Sequence, residues 1–211
     1  MASRSEASTA LPEPSKGLSG IVAADTTLSF IDGEKGILKY CGYGIDDLAA
    51  SSSFEEVVCL LYDRSLPSAV RLDDMRARIG AARVLPPEVK QVIEQLAGRT
   101  SPMSTLRTVV SALGHYESNV PLKELPPKAL RLVGQIAAAV AMIHRLRDGQ
   151  EPIEANPERG HAADFLHMLL GTEVTETQAK ALDLYLILLA DHGFNASTFS
   201  GRVTAGTLAN L

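Results

Sequence analysis

Between residues 181 and 190 the chain carries one charged side chain, Asp183, and is otherwise apolar on every side. Thr175 and Gln178, spaced as a capping box, predict a helix that starts just ahead of this run and continues to His192. A helix without a polar face cannot lie alone on a surface; it has to be enclosed by other helices or by a partner chain. The chain is therefore expected to build a multi-helix packing. Residues 135–142 are similarly apolar but small, and Ala137, Ala138, Ala139 and Ala141 permit close approach of a second helix. For both segments, buried core and subunit interface are open readings.

The remaining punctuation is also helical. Ser53 and Glu56 form another capping box ahead of Val57, Val58, Leu60 and Leu61. Residues 68–83 repeat apolar side chains at helical spacing through Val70, Leu72, Met75 and Ile79. Pro86-Pro87 opens a helix over 88–97 that Gly98 closes, Pro102 opens one to about Leu113, and Pro126-Pro127 opens a long one to about Leu146. Residues 162–170 read as a short helix stopped by Gly171. Only residues 20–43 read as strand, with 26–31 and 36–40 flanking Asp32-Gly33-Glu34-Lys35, a hairpin signal in which glycine is available for positive φ. Residues 1–16, rich in Ser, Ala, Pro and Glu, read as a disordered arm. The fold class expected is all-α with a small N-terminal β-hairpin.

Composition mainly excludes. A formal charge of −5 over 211 residues argues against general affinity for nucleic acid or an anionic membrane. Cys41 and Cys59 lack metal or redox spacing, so reduced thiols in a cytoplasmic protein are expected. The first residues lack the apolar core of a signal peptide, and no uncharged apolar run approaches a membrane span. His161 and His167 are six apart, not the three or four that put two ligands on one helix face, so no metal is expected. Asp46-Asp47 and Asp73-Asp74 are adjacent pairs that point apart on a helix and cannot form a catalytic carboxylate dyad. Gly42-Tyr43-Gly44 lacks the third glycine of a dinucleotide loop, and no P-loop or nucleophile elbow is present.

Polar groups crowd instead at residues 189–198, Leu-Ala-Asp-His-Gly-Phe-Asn-Ala-Ser-Thr. Gly193 suits a position just past a helix end, which puts His192 in the last turn, where the helix dipole favours a protonated imidazole. Asn195 or Ser197 can cap the following helix, whose free N–H groups face the same corner. A cationic His beside a helix N-terminus can hold a small carboxylate. The plain alternative is an ordinary corner with a capping His.

Ala190-Asp191-His192 followed by Asn195-Ala196-Ser197-Thr198-Phe199 and Arg202-Val203 resembles the "HADHxxNASTFxxRV" segment of citrate synthases. Residues 17–22, Thr26, Ile31-Asp32-Gly33, Gly36, Leu38, Tyr40, Gly42-Tyr43 and Ile45 follow that family's "GLxGV…T…IDGxxGxLxYRGYxI" opening. Further matches fall in order at 54–57, 66–67, Pro102-Met103, Leu106-Arg107, Phe165-Leu166 and Met168-Leu169. The resemblance implies that residues 17–211 are the amino-terminal part of the family's large helical domain. It implies condensation of acetyl-CoA with oxaloacetate to citrate and CoA, no cofactor beyond acetyl-CoA as substrate, and a homodimer or higher homo-oligomer. His192 matches the family's oxaloacetate-contacting His, with Asn195 beside it. The enol-contacting His of "GPxHGGAN", the base Asp and most substrate arginines are expected beyond Leu211, so no catalytic residue is assigned within these 211 residues and the chain alone is expected to be inactive. Cys41 stands where the family usually has Arg, and Leu189 where it usually has His. A 2-methylcitrate synthase using propionyl-CoA, and a non-catalytic helical dimerising protein of the same fold, are the alternatives.

Overall fold

A computed structural model describes residues 24–116 and 125–207; the arm read into residues 1–16 and the motif residues 17–22 lie outside them. Among the described residues, strands β1 (Ser29–Asp32), β2 (Ile37–Tyr40) and β3 (Tyr43–Gly44) precede nine α-helices. These are α1 (Ile45–Ser51), α2 (Phe54–Asp63), α3 (Ala69–Ala82), α4 (Pro87–Leu96), α5 (Pro102–Leu113), α6 (Leu125–Arg147), α7 (His161–Leu170), α8 (Glu176–Leu188) and α9 (Ala196–Gly206). The chain is mostly helical with a small antiparallel sheet, as expected.

Local chemistry explains the boundaries. The Ser53 hydroxyl accepts from Glu56 N while the Glu56 carboxylate accepts from Ser53 N at 2.7 Å, so α2 starts on a complete capping box. Thr175 and Gln178 repeat that reciprocal pair at α8. Ser68 and Ser101 cap α3 and α5, and Gly171 ends α7 with φ 73°. In the β1–β2 hairpin, positive φ falls on Gly36 (65°) rather than on Gly33. The Asp32 carboxylate accepts from Lys35 N at 3.1 Å and pairs with its ammonium at 2.8 Å, which forms the turn, and the left-handed residue comes at re-entry to β2. A second tight turn, Cys41 (φ 48°) and Gly42 (φ 94°), joins β2 to β3. Neither β3 nor α1 was separately legible, since two and seven residues are too short to show a period.

Helix α6 is the centre of the fold, packed against α3, α4, α5 and α7. Its Lys128–Arg147 stretch is long and apolar enough to cross a membrane by length and composition, yet here it lies among four helices. Ala138, Ala139 and Ala141 are buried, so the small-residue segment belongs to the core. The approach is close: a Cβ on Gly134 would stand 2.6 Å from the Ile79 carbonyl oxygen. A second cluster gathers Tyr40, Leu48, Val57, Leu60, Met75 and Ile79 beneath α8. Val70, which shares the period of Met75 and Ile79, is nevertheless exposed because it lies in the first turn of α3.

Helix α8 is enclosed on one side only. Ile187 is buried, but Tyr185 is 58% and Leu189 56% exposed, with Leu184 and Leu188 also on the surface. Within this chain, then, the apolar run at 181–190 keeps an uncovered face.

Candidate functional site

The corner at 189–198 differs from its expected geometry in one respect. Helix α8 ends at Leu188, so His192 lies in the connecting loop rather than in a last helical turn, and the dipole argument for a protonated ring does not apply. A side chain from the sheet meets this helix end. The hydroxyl of fully buried Tyr40 lies 3.0 Å from the Ile187 carbonyl oxygen and 3.1 Å from that of Leu188, and accepts from Asp191 N at 3.4 Å. The Ile187 carbonyl oxygen also accepts from Ala190 N at 3.3 Å, so it is the Leu188 carbonyl that the hydroxyl chiefly serves. Burial pushes the Tyr40 phenol above its ordinary range, so it stays protonated and able to donate.

Beyond His192 the chain reverses at Gly193, φ 84°, a conformation that costs glycine little. Asn195, not Ser197, caps α9: its Oδ1 accepts from Thr198 N at 2.8 Å. The other end of the same amide, Nδ2, lies 3.1 Å from His192 Nε2. Because Oδ1 is committed to the helix, the nitrogen faces the ring, and an amide nitrogen only donates. Nε2 must then accept, which describes a neutral imidazole with its proton on Nδ1. The Nδ1–H becomes the free donor of an exposed side chain. Arg202, on the helix that Asn195 caps, places its guanidinium carbon 4.9 Å from the Phe194 ring centroid and so brings a cation to this corner, one that local spacing does not mark as a site residue. Leu189, at the first His position of the family's "HADH" run, is an exposed apolar wall.

The other histidines stand apart from this corner. His161 is the buried first residue of α7, and the His167 ring meets the Thr172 carbonyl at 2.9 Å. His144 sits in the last turn of α6 near Asp148. Among the described residues, no three His, Cys, Asp or Glu side chains converge as metal ligands.

A family model described as citrate synthase, C-terminal domain, matches residues 17–211. The chain belongs to the citrate synthase family. It is 41% identical over 206 residues to a citrate synthase from Haloferax volcanii, covering 94% of this chain and 54% of that one. It is 36% identical over 202 residues to a 2-methylcitrate synthase from Mycobacterium tuberculosis, covering 95% of this chain and 51% of that one. The fold superposes on the citrate synthase of Pyrobaculum aerophilum with TM-score 0.86 and 37% identity, over 91% of this chain and 51% of the other. It also superposes on a Thermoplasma acidophilum citrate synthase in ternary complex with carboxymethyl coenzyme A and oxaloacetate, with TM-score 0.88, 28% identity, and 94% and 53% coverage. The chain spans about half the length of these citrate synthases.

Proposed function

We propose that the chain supplies part of the oxaloacetate side of a citrate synthase, in which acetyl-CoA and oxaloacetate condense to citrate and CoA, with His192 and Asn195 as substrate-binding residues. The observation that carries this reading is the Asn195–His192 pair. One amide caps α9 through its oxygen and meets the imidazole through its nitrogen, leaving Nδ1 of the ring open to a ligand. An N–H donor there suits the carbonyl or carboxylate oxygen of a small oxo-diacid, because a neutral imidazole can polarise the oxygen without giving up its proton. The ternary complex of the Thermoplasma relative supports the substrate pair. Propionyl-CoA is the second reading for the acyl donor, supported by the Mycobacterium relative.

In the protein at the family's full length, His192→Ala is expected to lower kcat/KM for oxaloacetate about tenfold to a hundredfold, the loss of roughly 1.5–3 kcal/mol for a hydrogen bond to a charged group. The KM for acetyl-CoA should change far less. Unaltered oxaloacetate kinetics with a lower melting temperature would make His192 a structural residue and overturn the assignment.

Self-association through a second copy is proposed on separate grounds. Leu184, Tyr185 and Leu188 on α8 and the adjoining Leu189 are uncovered, and Phe199 and Val203 on α9 are exposed as well. A contiguous apolar patch beyond a few hundred Å² drives association. Light scattering at tens of micromolar is expected to give a dimer or larger; a well-folded monomer would contradict this.

A further inference from the structure

We propose that Tyr40 is a positioning residue for His192: its buried hydroxyl ends α8 at Leu188 and fixes the turn from which the imidazole projects. The inference rests on the reading of His192 as an oxaloacetate contact and extends it to a residue more than 150 positions away in sequence.

The geometry is economical. Tyr40 is 0% exposed, and its ring is held by the cluster around Leu48, Val57 and Ile187, so the hydroxyl has little freedom to move. One phenolic proton serves the Ile187 and Leu188 carbonyl oxygens, and the phenolic oxygen takes the Asp191 amide, the residue immediately before His192. The clip therefore grips the chain on both sides of the helix end. The Ile187 carbonyl oxygen also takes the Ala190 amide at 3.3 Å, but the Leu188 carbonyl has the Tyr40 hydroxyl. Without it, Leu188 would find an amide by the helix running on, which would rotate residues 189–192 into another turn and carry His192 away from Asn195. The helix continuing to His192 is the conformation that the amino-acid pattern of this segment favours by itself. Tyr40 is thus the group that selects the loop over the helix.

A second polar group from the same strand pair supports this. Ser29 is the cross-strand partner of Tyr40 in the β1–β2 register. Its hydroxyl is buried and has no hydrogen-bond partner among the described residues. It sits 3.9 Å from the place a Cβ on Gly193 would occupy. Buried hydroxyls without partners are uncommon. This one lies under the residue that follows His192, so the sheet presents polar groups to the turn on both sides of the imidazole.

The test compares the unmodified chain, Tyr40→Phe, His192→Ala and the double variant, with Leu48→Ala as a control that weakens the same cluster without touching the clip. Tyr40→Phe retains the ring and its packing. Amide hydrogen exchange at Asp191 is expected to quicken at least tenfold in Tyr40→Phe, and the nuclear Overhauser contact between the His192 ring and the Asn195 side-chain amide is expected to vanish. Leu48→Ala should leave both signals in place at equal loss of melting temperature. In the unmodified chain the Asp191 amide should exchange at least tenfold more slowly than that of His192, a measurement that needs no variant to fold. Unchanged Asp191 exchange and an intact His192–Asn195 contact in Tyr40→Phe would overturn the proposal, as would equal exchange of the two amides in the unmodified chain.

Oxaloacetate titration of a protein of the family's full length that contains this chain with the same substitutions then reads the consequence. Tyr40→Phe should weaken binding about tenfold in the unmodified background and not further in the His192→Ala background, the mark of one residue acting through another. Additive losses would overturn positioning through His192. If His192→Ala itself leaves oxaloacetate binding unchanged, the substrate assignment of His192 falls, while the exchange and Overhauser signals, which involve no substrate, still decide what Tyr40 does.

Discussion

Arg83→Met is expected to lower the unfolding free energy by about 3–5 kcal/mol, the usual cost of removing one partner from a buried ion pair. Arg83 Nε lies 2.7 Å from Asp164 Oδ2, and the two side chains are 1% and 0% exposed. The same guanidinium donates to the Asn156 and Arg159 carbonyl oxygens at 3.1 and 2.7 Å, fastening the loop before α7 to the end of α3. Without Arg83, the Asp164 carboxylate stays buried with the Asn156 amide (3.1 Å) as its remaining partner outside α7, and the two loop carbonyls lose a donor. Urea denaturation followed by circular dichroism measures the loss. Arg83→Met combined with Asp164→Leu should recover much of it, since a packed apolar pair leaves no uncompensated charge. A single-variant loss under about 1 kcal/mol would mean that water reaches Asp164.

Acidification is expected to weaken the fold through the neighbouring His161. Burial and the adjacent Arg83 cation push this imidazole down from 6.5 to about 4. Its Nδ1 lies 3.5 Å from Arg83 Nη1, a donor, so the ring must be neutral in the folded chain. Between pH 6.5 and about 4 the unfolded chain binds a proton that the folded chain refuses, so stability falls as pH falls across that window and is unaffected by this group above it. The span corresponds to about 3 kcal/mol. Asp183, whose carboxyl is raised by burial, works in the opposite sense near the acid end, so the comparison is made between variants. Denaturation midpoints in His161→Phe should depend on pH much less than those of the unmodified chain. Equal slopes for the two would refute the assignment.

Most of the helical frame was legible because it is written locally. Ser53 with Glu56, Thr175 with Gln178, Pro102 and Gly171 each act within a turn of their own position, and each stands where its spacing placed it. What failed depends on distant partners. The end of α8 is set by Tyr40 from another part of the chain, and no periodicity within 176–192 can report that. Asn195 was identified as a possible cap, but its second contact, to the ring that it fixes, needed coordinates. Arg83 and Asp164 carried no signal at all, being 81 residues apart and ordinary within their own helices. The family resemblance reached His192 and Asn195 through the order of motifs alone; their arrangement had to come from the fold.

The Tyr40 clip also has a consequence for biosynthesis. Its two halves are separated by 147–151 residues. At about 5–20 residues per second, the ribosome needs roughly 7–30 s after making Tyr40 before α8 has been synthesised. During that interval the hairpin and the early helices can fold, but the phenol that will end α8 has nothing to hold. The corner bearing His192 is therefore among the last parts of these 211 residues to be settled. A nascent chain arrested before residue 176 would lack α8 and with it any competent His192 turn, however native its first helices had become.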